Sequence, residues 1–158
     1  MLQAGKSCTG LTVQELFKRV PLFTDLSEPA LNMLILRSES ASAPPGGLVV
    51  REGESNSHFF LTCAGSLRVY RQFGLPDQTE LATLGPGDFF GEMCILEIVP
   101  RSATVQAVTQ ATFLTLRPTD FYILQEQMPD QYGVLLLNIA RDLARRLRKL
   151  NDNYVAKH

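Results

Sequence analysis

Residues 87–103, with the sequence GDFFGEMCILEIVPRSA, form the most informative segment of the chain. Gly91 permits a tight backbone bend, and a single helical turn from Met93 to Leu96 is expected after it. The free N–H groups and positive dipole at the start of such a turn attract anions. Arg101 carries a planar guanidinium suited to phosphate oxygens, and Glu92 can accept hydrogen bonds from hydroxyl groups. The segment suits a ribose phosphate, although an ordinary Glu92–Arg101 ion pair would explain the same two residues.

The chain on both sides of this segment has the pattern of short β-strands. The predicted strands are rich in β-branched or aromatic residues and are separated by Gly, Pro, Asn or Asp. They are Leu48–Arg51, His58–Cys63, Ser66–Phe73, Thr79–Leu84, Ala103–Val108 and Ala111–Leu116. Regular short strands with such turns favour a sandwich or barrel of the jelly-roll type.

Helical patterns flank these strands at both ends. Thr12 and Glu15 form a capping box that predicts a helix over Val13–Val20, and Ser27 followed by Pro29 predicts a second helix. We expect residues 1–43 to be a helical segment, because prolines and glycines at 44–47 stop helix formation. After Thr119, the pattern predicts a helix over Asp120–Met128 and a long one from Pro129 to about Asn153.

The long helix has an apolar seam whose members are alternately three and four residues apart. The seam consists of Leu136, Ala140, Leu143, Leu147, Leu150 and Tyr154. It predicts either packing against the chain's own barrel or a homodimer through the C-terminal helix, and the two arrangements can coexist along one helix.

Composition limits the classes of function. With 158 residues, 45% of them hydrophobic and 20% charged, the chain suits one domain, and a net charge of −1 gives no global case for binding nucleic acid or membranes. The three cysteines lack paired spacing and Met1–Gly10 lacks an apolar signal region, so we expect a cytoplasmic protein. No apolar run reaches the roughly 20 residues of a membrane span.

Neither catalysis nor DNA binding is expected. The chain has only His58 and His158 and no Gly-x-Ser-x-Gly, His-Glu-x-x-His or Cys-x-x-Cys motif, so we expect no metal, no cofactor and no enzyme activity. Basic residues along 141–149 are interpreted as a solvated helix face, because the last eight residues, Asn151–His158, are too few for a helix-turn-helix.

The central segment resembles the phosphate-binding cassette of cyclic nucleotide-binding domains. That family includes bacterial catabolite activators, protein kinase A regulatory subunits and cyclic nucleotide-gated channels. The matching motifs are Phe90-Gly91-Glu92 and Pro100-Arg101-Ser102-Ala103-Thr104-Val105, with further similarity over residues 47–54 and 59–70. The resemblance implies a mainly β fold with flanking α, an eight-stranded β-roll with N-terminal helices and a long C-terminal helix. Its expected parts are the helical segment 1–43, the roll 44–117 with the cassette 89–104, and the C-terminal helices 118–158.

The resemblance also implies a ligand site. Glu92 would accept from the ribose 2′-hydroxyl, Arg101 would neutralise the cyclic phosphate, and amides near Cys94 and Ser102 would complete the phosphate cradle. The other cassette residues implied at the site are Phe90, Gly91, Met93, Ala103 and Val105. Ser102 fits cAMP and is compatible with cGMP. The spacer Glu97-Ile98-Val99 departs from the family, which usually has a glycine-containing turn there.

The implied function is a sensor module whose C-terminal helix closes over the nucleotide and passes the signal to an unknown effector protein. The similarity of residues 144–147 to a run in bacterial catabolite activators implies that Asn151, or next Arg148, contacts the base, and an asparagine can both donate and accept there. The alternative is that both are ordinary surface residues at a fraying helix end. The alternatives are a protein-interaction module of the same fold that binds no nucleotide, and a sensor fragment of a longer regulator or channel.

Overall fold

The computed structural model describes residues 7–8 and 11–158. Most of Met1–Gly10, the segment expected to lack a secretion signal, lies outside the described residues. Four α-helices are present in this part of the chain: α1 Val13–Arg19, α2 Glu28–Arg37, α3 Pro118–Gln127 and α4 Pro129–Lys157. The first strands are β1 Ser7–Cys8, β2 Leu11–Thr12, β3 Glu39–Ala43, β4 Leu48–Val50 and β5 Phe59–Ala64. They are followed by β6 Leu67–Arg71, β7 Thr79–Leu84, β8 Phe89–Phe90, β9 Thr104–Ala107 and β10 Ala111–Leu116.

The strands β3 to β10 form an eight-stranded roll, which confirms the predicted fold. They lie in two four-stranded antiparallel sheets, in the orders β3-β10-β5-β8 and β4-β9-β6-β7. Among the described strands, the short β1 and β2 pair only with each other. All six strands listed from the sequence are present, with ends shifted by no more than two residues.

Two strands of the roll were not predicted from the sequence. Strand β3 lies inside residues 1–43, which were expected to be helical, but α2 ends at Arg37 and Glu39–Ala43 pairs with β10. Strand β8 has only two residues and pairs with β5. Both strands escaped prediction because β3 is rich in Ser and Ala, which carry little β-propensity, and β8 is too short to show a period.

Strand β5 separates the two hydrophobic cores. Its side chains alternate between faces: Phe59, Leu61 and Cys63 pack with the helices, and Phe60 packs inside the roll with Phe113. Both faces are buried. Strand β5 pairs directly with β8. This pairing holds Phe90, and with it the start of the cassette, against the roll.

The N-terminal caps predicted from the sequence are present at helices α1 and α2. The capping box at α1 is complete, because Thr12 Oγ1 accepts from the Glu15 amide and the Glu15 carboxylate accepts from the Thr12 amide. Ser27 Oγ accepts from the Ala30 amide at the start of α2. These caps define helices that pack their apolar faces on β5 and β10.

Helix α4 is anchored in its first half and exposed in its second. The Asn138 side chain, which is buried, donates to the carbonyl oxygens of Leu22 at 2.9 Å and Thr24 at 2.7 Å. Leu135 and Ile139 are buried beside it, whereas every residue from Ala144 onward is exposed. In the part of the chain that is described, no helix is both long and apolar enough to cross a membrane.

Candidate functional site

The cassette turn begins at a glycine that no other residue could replace without strain. Gly91 has φ +83°, in the left-handed region, and caps a short 3₁₀ turn over Glu92–Ile95. A Cβ at Gly91 would lie 2.5 Å from the His58 carbonyl oxygen and 2.6 Å from Arg101 Nη1. The turn predicted from Met93 to Leu96 is therefore present, starting one residue earlier, and Arg101 lies directly against its glycine.

Arg101 is a partly buried cation without a carboxylate partner. Its Nη2 donates to the His58 carbonyl oxygen at 2.6 Å and to Asn56 Oδ1 at 3.2 Å, and its buried Nε has no hydrogen-bond acceptor among the described residues. None of the ion pairs within residues 11–158 includes Arg101. Burial lowers the pKa of the guanidinium, and the nearby carboxylates of Glu54 and Glu92 oppose that shift. A partly buried cation without a counter-ion favours an anion at this position.

One side of the Arg101 guanidinium lies over a pair of stacked aromatic rings. Its Cζ lies 5.7 Å from the centroid of the Phe60 ring, and Phe60 stacks on Phe90 with centroids 4.7 Å apart. The ring face attracts the cation and excludes water from one side of it. Phe90, one residue before Gly91, therefore acts on the site through packing.

Glu92 pairs with the C-terminal helix and not with Arg101. The Glu92 side chain is 6% exposed, and its Oε1 accepts from Arg146 Nη1 at 2.6 Å. Its other oxygen, Oε2, accepts no hydrogen bond from the described residues. Arg146 Nη2 also lies 2.9 Å from Asp142 Oδ2, at an angle unsuited to a hydrogen bond. The ordinary explanation, a Glu92–Arg101 ion pair, is therefore wrong, and Glu92 keeps one acceptor oxygen.

A cavity of about 560 Å³ opens in front of these groups. All nine site residues predicted between positions 90 and 105 line it: Phe90, Gly91, Glu92, Met93, Cys94, Arg101, Ser102, Ala103 and Val105. Strands β6 and β7 supply Val69, Leu81, Ala82 and Leu84 to the opposite wall. The cavity thus has an apolar wall facing a cation and a carboxylate, as a sugar phosphate with an attached planar base requires.

Cys94 and Ser102 differ in what their backbone amides offer. The Cys94 amide donates to the Gly91 carbonyl oxygen at 3.2 Å, while the Ser102 amide donates to none of the described residues. The Ser102 amide is therefore the one ready to donate to an anion. Burial raises the pKa of the Cys94 thiol to about 12, so the thiol stays neutral and packs as a small apolar group.

The two helix residues expected to contact a base, Arg148 and Asn151, do not line the cavity. Both are exposed on the second half of α4, and Arg146 is the helix residue that reaches the cassette. A base contact from Asn151 requires this half of the helix to move towards the roll.

Several lining residues were not predicted. Asn56 and Ser57 come from the loop between β4 and β5, and Arg146 comes from α4, so both contributions are distant from the cassette in sequence. Arg146 was visible only as one of five basic residues along 141–149 that share no distinguishing spacing. Glu97 and Val99, in the unusual spacer, also line the cavity.

Comparison with known proteins agrees with this geometry. The model of the family described as "Cyclic nucleotide-binding domain" matches residues 41–128. A cyclic nucleotide-gated potassium channel of Mesorhizobium japonicum is 35% identical over 116 residues, covering 73% of this chain and 31% of the channel. The cyclic AMP receptor protein of Thermus thermophilus is 31% identical over 132 residues, covering 84% of this chain and 59% of the receptor.

A solved structure shares most of the architecture. The crystal structure of a cyclic nucleotide-binding domain from Methylobacillus flagellatus superimposes with a TM-score of 0.77 at 25% identity, covering 92% of this chain and 82% of that one. The chain thus spans most of an isolated domain, but only about a third to three fifths of the two relatives named above.

Proposed function

The chain belongs to the cyclic nucleotide-binding domain family, and we propose on that basis that it binds a cyclic nucleotide in the cavity between the roll and α4. The observation that carries the proposal is the partly buried Arg101 guanidinium, which has no carboxylate partner among the described residues and lies against the Gly91 turn. A cyclic phosphate supplies the missing negative charge. The Ser102 amide, which is free within the described chain, adds a second donor.

Glu92 binds the ribose in this proposal. Its Oε2 is available to accept from the 2′-hydroxyl while Oε1 stays with Arg146. A carboxylate would repel a phosphate, so a neutral hydroxyl is the better partner for Glu92. The same carboxylate then contacts both the ligand and helix α4.

The nucleotide is proposed to be cAMP, with cGMP as the compatible alternative. A relative that covers most of this chain is named a cyclic AMP receptor protein. Ser102 is exposed at the cavity wall, where its hydroxyl fits a phosphate oxygen or a guanine amino group. This residue supports both ligands, so the preference for cAMP rests on the relative.

Helix α4 is proposed to transmit ligand binding to the effector protein. The first half of the helix is fixed by Asn138, and the second half contacts the cassette through Arg146. A ligand shifts such a helix only if it binds one position better than the other. Sharing Glu92 between ligand and Arg146 provides that difference, and the moving half would present its surface to an effector protein. Catalysis forms no part of the proposal.

A homodimer through α4 is a second element of the proposal. The seam residues Leu147, Leu150 and Tyr154 are 59%, 65% and 66% exposed, so they do not pack on the roll. Leu136 and Leu143 of the same seam do pack against the helical core. The seam therefore divides, with internal packing at its start and a surface for a second copy at its end. A cytoplasmic location stays a prediction.

Calorimetric titration of the chain with cAMP, cGMP and a cyclic dinucleotide tests the function. We expect one cAMP or cGMP to bind per chain and the larger cyclic dinucleotide to bind far more weakly. If none of the three binds at millimolar concentration, the chain is instead a protein-interaction module that keeps the fold.

A further inference from the structure

Asn56 contacts the group that we assign to the phosphate, although it lies 45 residues away in sequence. Its Oδ1 is 3.2 Å from Arg101 Nη2, and the same oxygen is 2.9 Å from the His58 amide and 2.8 Å from His58 Nδ1. Asn56 is partly buried and lines the cavity.

The groups that donate hydrogen bonds to the Asn56 side chain determine its orientation. A backbone N–H and a guanidinium can only donate, so the atom that faces both must be the oxygen. The acceptor role towards His58 Nδ1 requires the proton on that nitrogen. Two donors from His58 thus hold the oxygen in the direction of Arg101.

The same loop also holds the Arg101 backbone. The Arg101 amide donates to the Glu54 carbonyl oxygen at 2.9 Å, and the Gly53 amide donates to the Arg101 carbonyl oxygen at 2.8 Å. The His58 carbonyl oxygen accepts from Nη2 at 2.6 Å. The main chain and the guanidinium of Arg101 are therefore both held by residues 53–58. Of the two groups that contact Nη2, Asn56 Oδ1 belongs to a side chain and the His58 carbonyl oxygen to the backbone.

We infer that Asn56 is a positioning residue for phosphate binding. By occupying Nη2 together with the His58 carbonyl oxygen, it fixes the guanidinium plane so that the buried, unpartnered Nε–H remains for an anion. A bidentate contact needs the fork held in one plane, and a long side chain loses less entropy on binding if it is already fixed. This inference rests on the proposed function, because the bound anion is the nucleotide phosphate.

The test compares ligands with and without the phosphate. Calorimetric titration of wild type, Asn56→Ala and Asn56→Asp with cAMP is set beside competition of each protein by adenosine, which lacks the phosphate. Ser55→Ala is the matched control, since Ser55 is exposed in the same loop and does not line the cavity. We expect Asn56→Ala to weaken cAMP binding about 10-fold, the effect of losing a hydrogen bond to a charged group. Adenosine competition should be unchanged, and Asn56→Asp, which places a carboxylate against Arg101, should also weaken cAMP binding while leaving adenosine competition unchanged.

A double variant excludes a merely structural effect. If Asn56 acts through Arg101, adding Asn56→Ala to Arg101→Ala should cost no further affinity. An Asn56→Ala variant that binds cAMP like wild type, or that loses cAMP and adenosine binding in equal proportion, overturns the inference alone. A wild type that binds no cyclic nucleotide overturns the proposed function and this inference with it.

Discussion

Arg146 Nη1 on helix α4 lies 2.6 Å from Glu92 Oε1 in the cassette. The two residues are 54 positions apart in sequence, and among the described residues this ion pair is the polar link between the second half of α4 and the cassette turn. The Glu92 side chain is 6% exposed and that of Arg146 is 50% exposed. The pair is thus a buried carboxylate satisfied by a guanidinium that reaches in from the surface.

Removing Arg146 should destabilise the chain because it leaves the Glu92 charge buried without a partner. We expect Arg146→Ala to lower the free energy of unfolding by about 1–2 kcal/mol, less than for a fully buried pair because Arg146 is half exposed. Urea denaturation measures the effect, and Arg148→Ala, an exposed arginine on the same helix, should change stability by less than about 0.5 kcal/mol. Adding Glu92→Gln to Arg146→Ala should recover most of the loss. Equal losses for Arg146→Ala and Arg148→Ala would show that the ion pair contributes nothing.

Ligand binding should order the second half of α4. Hydrogen exchange with and without cAMP is expected to show added protection over about residues 143–154 as well as over 91–103, because a shared Glu92 couples the helix to the ligand. The first half of α4, already fixed by Asn138, is the internal reference. Protection confined to residues 91–103 would mean that the domain binds its ligand without moving the helix.

Changing Leu147 to Glu should prevent dimer formation. Leu147 lies on the exposed part of the seam, and a charge there would be buried in a two-helix interface without a partner. Leu137→Glu is the matched control, since Leu137 is also half exposed on α4 but lies off the seam. In sedimentation we expect wild type and Leu137→Glu to be dimers and Leu147→Glu to be a monomer. A monomeric wild type contradicts the dimer proposal.

The Cys94 thiol should resist alkylation while the chain is folded. Its pKa is raised from 9.0 to about 12, and only the thiolate reacts, so the reactive fraction at pH 8.5 falls about 1,000-fold relative to an ordinary thiol. Iodoacetamide followed by peptide mass spectrometry should modify Cys94 readily in urea and barely in buffer. The thiol should become reactive only as pH rises towards 12, because the raised pKa retains the proton until then. Rapid labelling of the native chain at pH 8.5 would contradict this environment.

The cassette was predictable from the sequence because its chemistry is local. Gly91, Glu92 and Arg101 belong to one loop, so a short motif sets the turn, the acceptor and the cation together. Asn56 and Arg146 were not predictable, because their contacts depend on how the β4–β5 loop and helix α4 fold back over the roll. No local pattern distinguishes Arg146 from the neighbouring arginines.

The strands of the fold likewise divide into those predictable from local sequence and those that depend on tertiary contacts. Thr79–Leu84 and Ala111–Leu116 were predicted to the residue, and Gly or Pro follows each of them within two positions. Strand β3 was missed because its sequence, ESASA, has a strand conformation imposed by pairing with β10. Tertiary pairing overrides weak local propensity there.

The phosphate contact of Arg101 is the central claim, and calorimetric titration of Arg101→Ala with cAMP beside wild type tests it most directly. The account predicts a loss of about 2–5 kcal/mol in binding free energy, because the phosphate would then lie in a partly dry cavity without its counter-charge. Arg145→Ala, an exposed arginine outside the cavity, should bind like wild type. An Arg101→Ala variant with unchanged cAMP affinity would contradict the claim.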